Sequence, residues 1–327
     1  MLTFWVSIEL ATNPCVWTVP VMNLRRRNNL SALMALILFG AACSTEDGLG
    51  EGATSAAAEP VMAERHGSLV AEFVYPRSWE SDGVSIQAQF LDARGVSVES
   101  ALQALEVWTP VASLERADCV MLPLERTRSS EPVSLSLLDL GELEVVAPEG
   151  AFYLPPRRLP DLLSAFYGVV YGSEWTVGLD RELLDFYPGA IYGFSAPGSA
   201  LAGGFDVALR APEPIVLIAL NGEEVRGTGQ ELGGARDLEL VWEPDGAADV
   251  EVYIDVATGF GPDQPRLQCR TADTGAFTVP EALVGSLLER GQAVDLELRR
   301  VRRVEAPVEG LDAAEFLFST MDRVELF

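Results

Sequence analysis

Histidine, lysine and cysteine supply most nucleophiles and bases that work near neutral pH, and this chain is poor in all three. It has one histidine, His66, four cysteines, Cys15, Cys43, Cys119 and Cys269, and 23 basic residues that are all arginine. Without lysine there is no Schiff base and no phosphate-loop amine. With His66 alone, a Ser-His-Asp triad, a Cys-His pair or a multi-histidine zinc site lacks its parts. His66 ends a linker rich in small residues and reads as solvent-exposed. Gly193-Phe194-Ser195-Ala196-Pro197-Gly198 approaches the nucleophile-elbow pattern, but Pro197 stands where glycine is needed and no histidine follows, so Ser195 reads as a loop serine. In the run 227–234, Gly227 and Gly229 suit a dinucleotide loop, yet Leu232 holds the third glycine position and the flanks are strands. No catalytic residue and no cofactor is expected.

Carboxylates remain, and they are abundant: 49 Asp and Glu against 23 arginines, a net charge of −26. That field repels phosphate backbones and anionic lipid headgroups, so nucleic acid is not an expected partner. Paired carboxylates could cleave a glycoside, although close pairs arise by chance in so acidic a chain. Calcium could bind loop carboxylates and carbonyls, but no D-x-D-x-D-G loop is present.

Cys43 is the cysteine with the most distinctive surroundings. Arg25, Arg26 and Arg27 precede an apolar run from Leu30 to Phe39, and Gly40-Ala41-Ala42 leads into the cysteine. A basic cluster, an apolar stretch and small residues form a secretory signal, and the run is too short for the roughly 20 residues of a membrane span. Leu38-Phe39-Gly40-Ala41-Ala42-Cys43 resembles the lipobox of bacterial lipoproteins, with Gly40 where that family favours leucine. The resemblance implies a diacylglycerol on the Cys43 sulfur, cleavage before it, and membrane attachment through the lipid. Met22 opens a conventional signal, so residues 1–21, with Cys15, read as a misassigned upstream extension. Removing residues 1–42 takes away Glu9 and three arginines and leaves the chain more acidic still.

In an exported protein, Cys119 and Cys269 form an even pair where disulfides persist. They are a candidate disulfide, or else two buried thiols packed as small apolar residues, which is the commoner outcome.

These residues need a scaffold, and the pattern predicts one that is mainly β. Residues 43–66 read as the lipidated cysteine and a flexible tether, which would hold the folded part on the order of 25 Å from the membrane. Alternation of Val84, Ile86, Ala88 and Phe90 with polar residues marks a half-buried strand, and 67–75 is another. Residues 133–147 read as one strand bent at Gly141. Proline and glycine in 185–204 read as loop, and 180–189 reads as a short helix opened by Asp180 and ended by Pro188. A second helix is expected over 279–291, after Pro280. The last third holds six strand-sized segments at sandwich spacing. The expectation is two β-sandwich-like domains, 67–212 and 213–327, the second able to fold alone.

Residues 241–257, LVWEPDG followed by VEVYIDV, resemble the second and third strands of fibronectin type III and related immunoglobulin-like domains, which implies that Trp242 and Tyr253 are core residues. The chain also resembles uncharacterised lipoproteins of the myxobacteria, in which a cysteine strand leads through D-x-G-x-F-T-V-P to a short helix, here Cys269 and Asp273 to Pro280. That family implies placement and fold only. The function expected is a non-catalytic binding or structural module, lipid-anchored in the cell envelope, at the outer membrane. Its partner is an envelope protein or a glycan. The alternative is a carbohydrate-binding or carbohydrate-active protein using carboxylates and exposed aromatics.

Overall fold

Strands with an apolar residue at every second position need one face covered, and this chain covers its longest sheet with two smaller ones. The structure, a computed structural model, describes residues 63–77, 83–94, 97–98, 101–102, 108–111, 113–122, 134–159, 166–172, 184–231, 237–258, 265–288 and 293–327. Cys15, the signal 22–42, Cys43 and the tether up to residue 62 lie outside the described residues.

The first strands are β1 (Ala63–Val74), β2 (Gly83–Arg94), β3 (Asp118–Leu122), β4 (Ser134–Leu137), β5 (Leu143–Ala147), β6 (Gly150–Leu154), β7 (Arg157–Leu159) and β8 (Phe166–Gly172). Then come β9 (Leu184–Asp185), β10 (Ile191–Gly198), β11 (Gly203–Arg210), β12 (Leu217–Leu220), β13 (Glu223–Glu224) and β14 (Gly229–Gln230). The last are β15 (Leu238–Trp242), β16 (Val250–Ala257), β17 (Arg266–Ala272), β18 (Ala276–Val279), β19 (Val294–Glu305) and β20 (Ala313–Leu326), with helix α1 (Glu281–Leu288) between β18 and β19.

The central sheet runs β3-β17-β16-β19-β20-β1-β2-β4-β8-β7, with β14 on β20 and β9 on β2. Two four-stranded sheets, β11-β10-β5-β6 and β13-β12-β15-β18, lie on one face of it. Beneath the first, Leu69, Ile86, Phe90, Phe316 and Phe318 of the central sheet meet Val145, Tyr192, Phe194 and Phe205. Beneath the second, Ile254, Leu267 and Leu298 meet Leu217, Leu240 and Trp242, with Val284 and Leu287 of α1. The protein is mainly β with two sandwich-like packings. They share one sheet: β3, from the first half of the sequence, pairs with β17, and β1 lies parallel to β20. The expected boundary at 212/213 falls in the connection between the two cover sheets, while the shared sheet runs across it.

Several local expectations change. The last residues of the expected tether are already β1, where His66 sits between Leu91 of β2 and Ala313 of β20. It is half-buried because strand pairing encloses it on both sides. Leu184–Asp185, expected as helix, pair with β2, and Pro188–Gly189 form a turn. The expected loop through 191–204 is instead the β10/β11 hairpin: Tyr192, Phe194 and Ala196 alternate inward, and that outweighs the glycines and proline. Residues 133–147 are two strands in two sheets, and Gly141, at φ 86°, lies between them. A side chain at Gly141 would meet the Pro197 ring at 2.7 Å. The expected helix after Pro280 is present as α1, and the Asp237 carboxylate accepts from the Glu281 N–H at 2.7 Å, capping its first turn.

Candidate functional site

Alternation in the central strands puts charged residues on both faces of the sheet, and one group lies on the face away from the two sandwiches. Asp255 of β16 stands opposite Gln268 of β17 and Glu297 of β19, and Glu297 stands opposite Arg323 of β20. Arg299 is two residues along from Glu297, and Glu72 of β1 is opposite Ser319. Trp108 covers the group: its ring lies 4.7 Å from the Arg299 guanidinium carbon and meets Tyr253 edge-on. The indole Nε1 donates to Asp255 Oδ2 at 2.9 Å. Gln268 donates to Asp255 Oδ1 at 3.0 Å, and its own carbonyl accepts from the Val111 N–H at 2.7 Å. Arg299 donates to Glu297 at 2.7 Å and also pairs with Glu72.

Burial pushes Glu297 up to about 7, and the negative Asp255 acts in the same direction against Arg323 and Arg266. Burial draws Arg299 down to about 9, which leaves it cationic at neutral pH. A carboxyl titrating near 7 beside a charged one is the arrangement used for acid-base chemistry. Here both carboxylates are already engaged by neighbouring side chains. Both Asp255 oxygens are taken, with Arg266 also 3.4 Å from Oδ1, and Glu297 is held by Arg299. The cluster therefore fastens the cover segment around Trp108 to β16, β17 and β19.

A second buried group lies on the opposite face, along the seam between the two cores. Arg300, 1% exposed, donates from Nε to Asp273 Oδ2 at 2.8 Å and from Nη1 to the Glu213 and Pro214 carbonyls at 3.0 and 2.9 Å. Asp273 also accepts from Trp242 Nε1 at 2.7 Å and from the Asp245 N–H at 2.9 Å. Asp322 pairs with Arg77 and accepts from the Leu217 N–H at 2.7 Å. Thr320 donates to the Glu213 carbonyl at 3.0 Å, and Arg302 to the Arg210 carbonyl at 2.8 Å. Four central-sheet residues thus bind the connection that carries the chain from one cover sheet to the other.

A third polar group is open to solvent, on the outer face of β11-β10-β5-β6. The Tyr153 hydroxyl donates to Glu144 Oε1 at 2.9 Å, and the Ser195 hydroxyl to Oε2 at 3.3 Å. Its hydrogen bond to Glu144 pushes the Tyr153 hydroxyl up, and the charges of Glu144 and Glu142 add to this. Val146, Tyr153 and Ile191 are exposed beside it, at 47, 57 and 57%.

The residues singled out from sequence are scattered among these groups. Cys119 and Cys269 are directly opposite each other in β3 and β17 and form a disulfide, with Cys269 buried in the second core. They are therefore bridged, not two separate thiols. Trp242 and Tyr253 are both buried, on opposite faces of the fold. His66 is no exposed linker residue: burial pushes its imidazole down, with Arg303 adding to the effect, and its Nε2 is buried without a hydrogen bond. Ser195 is a strand residue, and Gly229 belongs to β14. Among the described residues, no three His, Cys, Asp or Glu side chains are placed to hold a metal. Sequence reading passed over the buried arginines, although Arg299-Arg300-Val301-Arg302-Arg303 carries their signal. Four arginines in a strand-sized segment must place charge on both faces of the sheet. Compared with models of known protein families and with curated proteins, the sequence matches none.

Proposed function

We propose that this chain is an exported, lipid-anchored protein of the cell envelope that serves as a non-catalytic binding or structural module. The observation that carries the reading is the disulfide joining β3 to β17, because such bonds persist in oxidising compartments and are rare in the cytosol. The lipobox-like residues ending at Cys43 supply the anchor in the same reading. The hydrogen bonds of both buried ion groups support a non-catalytic role, since they run to strands, a connection and a cover segment.

The carbohydrate alternative has less behind it. Trp108 and Trp242, the tryptophans among the described residues, are engaged with Asp255 and Asp273, which leaves Tyr153 as the aromatic ring on the open sheet face. Export is tested on the protein in its own cells by alkylating free thiols before lysis and comparing reduced and unreduced samples. Cys119 and Cys269 should resist alkylation until reduction. Rapid alkylation of both without a reductant would remove the main support for export.

A further inference from the structure

The free edge of β6 and the outer face beside it form an unusual surface for so well-covered a protein. In the sheet β11-β10-β5-β6, the β11 end is tied down, since the Gly203 N–H donates to the Glu309 carbonyl at 2.6 Å and Arg302 reaches the Arg210 carbonyl. Among the described residues, the β6 end pairs only with β5. Gly150, Ala151 and Tyr153 are exposed, and Phe152 and Leu154, which face the first core, are only half-buried. Among the described residues, the sheet therefore leaves part of its apolar face uncovered at β6. Unpaired strand edges accept extended segments through backbone hydrogen bonds, and proteins usually block or shield them.

The surrounding charge selects the occupant. Glu144 lies beside Tyr153 and Ser195, Asp206 is opposite Ser195, and Glu142 and Glu149 are exposed at the ends of β5. Arg210 is the one cation on the described outer face, and it donates to the Gly189 carbonyl. A second copy of this chain, with a net charge of −26, is repelled by such a rim. We propose that β6 accepts, as a fifth strand, an extended segment of another protein in which apolar residues alternate with arginine or lysine. Its apolar side chains would complete the cover over Phe152 and Leu154. Its cations, on the other face by strand alternation, would meet Glu144 and the Tyr153 ring. This rests on the non-catalytic binding reading and names the partner chemistry for it.

The probe is a synthetic heptapeptide of alternating arginine and valine, titrated against the full chain by fluorescence polarisation, with amide exchange of residues 150–154 followed by mass spectrometry. Three comparison peptides accompany it: arginines and valines in separate blocks, alternate backbone nitrogens methylated, and glutamate in place of arginine. The alternating peptide should bind about tenfold more tightly than each of the three and slow exchange at 150–154. Glu144→Gln should weaken it several-fold without changing the thermal midpoint. Equal binding of the block or methylated peptide, protection elsewhere than 150–154, displacement by cellohexaose, or self-association that protects β6 without peptide would each overturn the proposal. Oxidation of Cys119 and Cys269 in cells and acylation of Cys43 do not depend on β6, so the envelope reading fails or stands separately.

Discussion

Arg300→Met removes the guanidinium that holds the seam between the two cores while keeping most of the side-chain volume. The side chain is 1% exposed, and its loss strips hydrogen bonds from the Glu213 and Pro214 carbonyls and both charge-assisted bonds from Asp273. Asp273 keeps Trp242 and the Asp245 N–H, but it becomes a buried carboxylate without a counter-charge. Breaking a buried pair in this way costs about 3–5 kcal/mol. For a chain of this size each kcal/mol lowers the midpoint by about 2–4 °C, so the variant should melt roughly 6–20 °C below the parent in circular dichroism. The double variant Arg300→Met with Asp273→Leu should recover part of that loss, because the unpaired charge is then gone. A midpoint within 2 °C of the parent for Arg300→Met, or a double variant worse than the sum of its singles, would refute the assignment of this pair as the fastening between the two sandwiches.

Glu297 titrates at about 7 in the folded protein against an ordinary 4.5, so the folded state holds the extra proton between these values. That contribution to stability is therefore lost as pH rises from about 4.5 to 7, and Glu297→Gln should reduce the fall by up to about 3 kcal/mol in denaturant titrations at the two ends. The double variant Cys119→Ser with Cys269→Ser should lose about 2–5 kcal/mol, since the bond closes a separation of 150 residues, and reduction of the parent should reproduce the loss. A fragment of residues 213–327 lacks β1 beside β20 and β3 beside β17 and leaves Phe316 and Phe318 without their core, so it should unfold without a cooperative transition.

The last of these departs from what the sequence alone suggests, for a physical reason. Strand positions follow from local alternation, as in Val84 to Phe90, and each of the six segments of the last third holds a strand, with 265–280 holding two, β17 and β18. Pairing between distant strands leaves no local trace. Nothing near Ala63 or Cys119 in the sequence tells that β1 lies against β20 or that β3 lies against β17. The β10/β11 hairpin was hidden by Gly193, Pro197 and Gly198, which mimic loop composition. Its buried positions, Tyr192, Phe194 and Ala196, were legible by their spacing. The buried ion groups were legible in kind, from arginines clustered in one strand, and Glu297, two residues from Arg299 on the same strand face, was within reach of that alternation, but the other partners, Glu72, Asp255 and Asp273, stand at separations that periodicity does not span.

The proposed lipid anchor in the cell envelope turns on Cys43. Mass spectrometry of the mature protein from membranes should find Cys43 as the first residue, carrying a diacylglycerol on its sulfur. Cys43→Ser should move the protein from the membrane to the soluble fraction. A mature N-terminus at any other residue, or an unmodified Cys43 in the membrane-bound protein, would contradict the proposed anchor.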